Sequence, residues 1–105
     1  MELMCKPKRL IVVTASYDPL RRKVMRVVNK VASERGLEVE VREEDWVFLV
    51  RHGEKDELGG APIPQVFVEC EDGTIRHALT RIPLDERGKP DPQAAERAIA
   101  SALSG

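Results

Sequence analysis

Three hydrophobic rhythms follow one another between Arg9 and Arg42, and each marks an element. Arg9 to Thr14 is apolar almost without a break, Leu10-Ile11-Val12-Val13, the pattern of a central strand buried on both faces. From Asp18 to Arg35 the spacing lengthens. Leu20, Val24, Val27, Val28 and Val31 recur at helical intervals, with Asp18 as N-cap, Pro19 in the first turn and Gly36 as the stop. Leu37 to Arg42 then alternates, Leu37, Val39 and Val41 against Glu38, Glu40 and Arg42, as a half-buried strand does. A strand, a helix and a strand in this order require a parallel pair.

Trp46-Val47-Phe48-Leu49-Val50 is β-prone by composition. Acids at 43–45 and Arg51 and His52 behind it nevertheless match the charges favoured at a helix's two ends, so the segment is read as a short helix. Trp46 and Phe48 are assigned to the core, because a chain with only four aromatic residues needs them for volume. Glu54 to Ala61 is a loop, with one more helical turn as its alternative ending. Gln65 to Glu69 is a strand, Asp72-Gly73 a hairpin turn, and Ile75 to Ile82 the returning strand. Pro83 to Pro90 is a loop. Asp91-Pro92 opens a last helix whose buried face is Ala95, Ala98, Ile99, Ala102 and Leu103.

The chain has 105 residues, 42% of them hydrophobic, which suits one domain spanning 1–105 around one core. The apolar run at Trp46 to Val50 is far too short to cross a bilayer, and the stretch up to Ile11 lacks the features of a signal peptide. The expectation is a soluble cytoplasmic protein with no membrane role. Net charge is −1 but unevenly spread: +6 over residues 1–35, −8 over 36–72 and +1 over the rest. Without aromatic residues interleaved among the bases, two solvated faces explain this better than a nucleic-acid site. The stripe Arg22, Arg26 and Lys30 is read as a solvated helix face, with an acidic docking partner as the alternative. A charged content of 33% against a single asparagine, Asn29, leans towards a thermophilic source. His52 and His77 stand alone, and no residue set has metal-ligand spacing.

Ala61-Pro62-Ile63-Pro64-Gln65-Val66-Phe67-Val68 resembles the glutaredoxin segment in which a cis-proline precedes Gln and a β-strand. Asp72-Gly73 stands where that family turns its hairpin, and Arg22-Lys23-Val24 resembles the residues after its Cys-Pro-Tyr-Cys motif. The resemblance covers residues 9–82. It implies an α/β thioredoxin-like (glutaredoxin-like) fold: βαβ, then a helix, a β-hairpin and a C-terminal helix, on a four-stranded mixed sheet. It also implies that Pro64 is cis and faces the start of the first helix, leaving the backbone of Ile63 free to pair with an extended peptide or glutathione. The opening Thr14 to Leu20 is similar to that of nucleotidyltransferases as well, but no His-x-x-His pair follows.

The alignment sets Asp18-Pro19-Leu20-Arg21 where the family keeps its reactive cysteines. Thiol–disulfide exchange needs a thiolate, and a carboxylate and a guanidinium cannot form a mixed disulfide. No catalytic residue, cofactor or metal is therefore expected. Asp18 reads first as a helix cap, because Asp91-Pro92 repeats the same opening. The family's glycine pair, which helps hold glutathione, is aligned with Ile75-Arg76-His77, which argues against glutathione as a ligand.

The family's sheet topology would bring Cys5 and Cys70 to neighbouring strand ends, away from Pro64. Free thiols are the leading expectation, with a structural disulfide or a redox pair open beside it. A disulfide closing so long a loop would contribute on the order of 4 kcal/mol and would fit a hyperthermophilic source. The leading functional reading is a non-catalytic domain that binds a peptide or protein in a groove lined by Tyr17, Asp18, Arg21, Ile63 and Pro64. The alternative is a thiol–disulfide oxidoreductase working through Cys5 and Cys70.

Overall fold

The structure is a computed structural model and describes residues 5–104. Residues 1–4, part of the stretch read above for a targeting signal, lie outside the described residues. The elements are β1 (Pro7–Thr14), α1 (Arg21–Arg35), β2 (Glu38–Glu43), α2 (Trp46–His52), β3 (Gln65–Cys70), β4 (Ile75–Thr80) and α3 (Pro92–Leu103). The four strands form one mixed sheet in the order β2-β1-β3-β4. β1 runs parallel to β2 and antiparallel to β3, which is antiparallel to β4.

The continuous apolar character of β1 and β3 follows from cover on both faces. Leu10, Val12, Val66 and Val68 project to one side, where Val24, Val27, Val28 and Val31 of α1 and Ala95, Ile99 and Leu103 of α3 pack on them. Ile11, Val13 and Phe67 project to the other, against Phe48 and Leu49 of α2. Phe67 meets Phe48 edge-on at 5.0 Å between ring centroids. Burying each such large apolar side chain contributes about 1.5–3 kcal/mol.

α2 is too short to cover its whole face. Towards the start of β1 an ionic lattice takes over, centred on Arg9. Its guanidinium reaches Glu69 on one neighbouring strand at 2.9 Å and Glu40 and Glu38 on the other at 3.2 and 3.7 Å. Arg42 extends it to Glu40 (2.7 Å) and Asp45 (2.9 Å) and lies over the Phe48 ring at 4.7 Å. The alternation of Arg9, Glu38 and Glu40 is thus a set of cross-strand pairs.

Four expectations are corrected. α1 begins at Arg21 rather than Asp18, because the Asp18 carboxylate is drawn into a turn ahead of the helix. β4 ends at Thr80 rather than Ile82, because Arg81 adopts φ 58°, which no strand can continue. Trp46 is 43% exposed and outside the core, since it stands at the first position of α2 while Phe48 and Leu49 fill the buried side. Cys5 and Cys70 are disulfide-bonded rather than free: Pro7 pairs with Cys70 across the strands, which brings the two Cα atoms to 5.3 Å. The helical reading of 46–50 holds, with Asp45 accepting from the Phe48 N–H at 3.0 Å. Gly36 ends α1 at φ 67°, its N–H donating to Ala32 O.

Candidate functional site

Thr14, the last residue of β1, is where the segments of the candidate groove converge. Its hydroxyl donates to Asp18 Oδ2 at 2.6 Å, and its carbonyl accepts from the Glu44 N–H at 2.8 Å. One residue earlier, Val13 pairs with Gln65, the neighbour of Pro64. The other Asp18 oxygen accepts from the Leu20 N–H at 2.9 Å, while the Asp18 N–H donates to Ala15 O at 3.0 Å. Both oxygens of this buried carboxylate are therefore taken, one by the end of β1 and one by the turn ahead of α1. Among the helix amides it holds Leu20 alone.

The Ile63–Pro64 peptide is cis. Arg81 holds this dipeptide from the far side: its N–H donates to Pro64 O at 2.9 Å and its Nε to Ile63 O at 3.3 Å. Only half of the expected free backbone is available at Ile63. Its carbonyl is engaged by Arg81, whereas its N–H donates to no described residue.

Gln65 is fully buried and clasps the preceding loop. Its Nε2 donates to Glu54 O (3.0 Å) and Pro62 O (2.8 Å), and its Oε1 accepts from the Glu54 N–H (2.9 Å). Both donors and the acceptor of the amide are used. A Cβ at Gly53 would stand 2.9 Å from Gln65 Oε1, so the approach needs glycine there.

On the β2 side, the Tyr17 hydroxyl donates to Glu44 Oε1 at 3.1 Å. Desolvation, then the hydrogen bond and charge of Glu44, raise the pKa of this phenol above its usual 10.0, although the ring is 65% exposed. Arg21 Nη1 lies 2.7 Å from Glu43 Oε1, a close ion pair without an aligned hydrogen bond. No hydrogen bond or ion pair among the described residues joins Tyr17, Asp18 or Arg21 to Ile63 or Pro64. The two halves are linked through Thr14 and the Val13–Gln65 pairing. A cavity of about 690 Å³ opens at the start of α1, lined by Asp18, Arg21, Arg22, Lys23 and Arg26 among others, and neither Ile63 nor Pro64 lines it.

Both cysteines sit at the opposite end of the sheet from Pro64. His77 Nε2 lies 2.6 Å from Thr80 Oγ1 and 3.4 Å from Glu54 Oε1, and Thr80 Oγ1 donates to that carboxylate at 2.5 Å. Both partners meet the same ring nitrogen, whereas a nucleophile relay places them on opposite ones. Among the described residues no group of three or more His, Cys, Asp or Glu is placed to hold a metal ion. No helix among them is long and apolar enough to cross a membrane.

Thr14, Gln65 and Arg81 are the residues sequence reasoning missed. Gln65 stood in the proline–strand motif, but only as the residue opening the strand. Nothing in the sequence around Arg81 announces a left-handed arginine. No protein-family model, curated protein or solved structure matches the chain.

Proposed function

We propose that the chain is a thioredoxin-like domain without redox chemistry that binds an extended peptide or protein segment beside Pro64. The sheet order β2-β1-β3-β4, with one parallel and two antiparallel pairings and a proline directly before β3, supports the fold reading. The observation that carries the binding reading is the Ile63 N–H at the sheet end, which has no acceptor among the described residues, across the end of β1 from the exposed Tyr17 ring. An extended segment would accept from that N–H and lay a side chain on Tyr17.

Selection of random dodecapeptides on the immobilised protein, followed by titration of the winners, tests this. Tyr17→Ala should weaken binding at least about tenfold, as loss of an aromatic anchor does. Arg81→Gly keeps the left-handed turn and releases Ile63 O, so it should tighten binding. Peptides indifferent to both substitutions would place their site elsewhere.

The disulfide supports a second reading, thiol–disulfide exchange through Cys5 and Cys70. Cys70 is buried, and only the half-buried Cys5 offers an attacking thiol a route. Disulfide-reduction activity that disappears in Cys5→Ser/Cys70→Ser would establish it; wild-type protein without activity excludes it.

A further inference from the structure

The start of α1 breaks a rule of helix electrostatics. The first turn of a helix favours acids and is weakened by bases. α1 carries no acid there and opens Arg21-Arg22-Lys23, with Arg26 one turn on. Arg21 alone is neutralised, by Glu43. Arg22, Lys23 and Arg26 are exposed and make no ion pair or hydrogen bond with any described residue. They also repel one another, at i,i+4 for Arg22 and Arg26 and i,i+3 for Lys23 and Arg26. Further along the helix Lys30 is paired, 2.7 Å from Glu96, so the expected stripe of Arg22, Arg26 and Lys30 divides into an unpaired cluster and a bridge between α1 and α3.

Folding gains nothing from this cluster, and a local rule broken without compensation is characteristic of a functional site. The three bases line the 690 Å³ cavity together with Arg21, against the single carboxylate of Asp18. Of the amides at the helix start, the Leu20 and Arg21 N–H groups are already taken by Asp18. The feature is the cavity and its side chains.

Resting on the reading of this end as a peptide groove, we propose that the segment bound there is acidic. Its carboxylates enter the cavity at Arg22, Lys23 and Arg26, and its apolar residues continue over Tyr17. Nucleic acid fits this surface less well. Tyr17 and Trp46, the exposed rings on which bases would stack, adjoin Glu43, Glu44 and Asp45, which repel phosphate.

The test uses three fluorescent dodecapeptides of identical apolar pattern, carrying four Glu, four Gln or four Lys, and a 12-nucleotide single strand. They are titrated into wild type, Arg22→Gln/Lys23→Gln/Arg26→Gln and Tyr17→Ala, each checked for an unchanged melting profile. The Glu peptide should bind wild type at least about tenfold tighter than the Gln peptide, the worth of one charge-assisted hydrogen bond. The triple variant should erase that preference. Equal binding of the Glu and Gln peptides, a preference surviving in the triple variant, no binding of the Glu peptide, or tighter binding of the oligonucleotide would each overturn the proposal. The groove reading is scored separately. A Gln peptide that binds wild type and triple variant alike but loses affinity in Tyr17→Ala leaves the groove standing and removes the acidic preference. A Glu peptide lost in the triple variant and indifferent to Tyr17→Ala does the reverse.

Discussion

At one end of the sheet Cys5 is bonded to Cys70 and Arg9 is paired with three carboxylates; at the other, among the described residues, the Ile63 N–H has no acceptor and three bases of α1 have no counter-ion. The first end spends its polar groups on itself. The second holds its backbone firmly, through Thr14–Asp18, the Gln65 clasp and Arg81, but directs other polar groups outward. If the second end binds as proposed, such a division lets stability be lost at one end without loss of recognition at the other, and it can be broken experimentally.

The largest expected effect comes from the closed end. Reduction, or Cys5→Ser/Cys70→Ser, opens a loop with a sequence separation of 65 and should cost about 4 kcal/mol in urea unfolding. Peptide affinity at the Pro64 end should not change under native conditions. Gln65→Ala comes next. It strips partners from the Glu54 N–H and from the Glu54 and Pro62 carbonyls, and should cost about 2–3 kcal/mol. Hydrogen exchange should quicken across 54–62, and affinity should fall with stability, in contrast to the disulfide variants.

Asp18→Ala should cost about 2 kcal/mol, since it leaves the Thr14 hydroxyl and the Leu20 N–H without their partner. Asp91→Ala should cost about 1 kcal/mol as a lost N-cap. Asp91→Asn should be close to neutral by the same melting measurement, because Asn caps equally well. The smallest effect is on acidification. The Phe48 N–H and then Arg42 hold the Asp45 carboxyl below its ordinary 3.8. A carboxylate with a lowered folded pKa contributes stability that is complete above the ordinary value and lost as pH falls through the lowered one. Asp45→Asn should therefore flatten the stability profile below pH 3.8, by less than about 1 kcal/mol.

The two Asp-Pro dipeptides show where sequence reading stops. Asp91-Pro92 and Asp18-Pro19 are indistinguishable as helix openings. At Asp91 the reading holds: the carboxylate accepts from the Ala94 N–H and Pro92 occupies the first turn. At Asp18 it fails, because Thr14 lies four residues back at a strand end and draws the carboxylate inward. The cap signal is read from the helix side alone; a competing hydroxyl at the end of the preceding strand, though only four residues away, carries no pattern that announces it. The same limit separates what was legible elsewhere. Hydrophobic period, together with turn residues and the charges flanking α2, located the seven elements and predicted that β1 would be central, whereas the Arg81 contact to Ile63 and the Gln65 clasp on Glu54 join residues 18 and 11 positions apart. Trp46 was misplaced for a related reason. A seven-residue helix has room to bury only one side, and Phe48 and Leu49 occupy it.

The central claim, that the Pro64 end is the binding surface, is tested most directly by titrating ¹⁵N-labelled protein with the four-Glu dodecapeptide and following backbone amides. The largest shifts should fall on Ile63, Tyr17 and the amides of Arg22 to Arg26, with Arg9, Cys70 and α3 unmoved. Shifts concentrated at the disulfide end or on α3, with the Ile63 amide unchanged, would contradict the account.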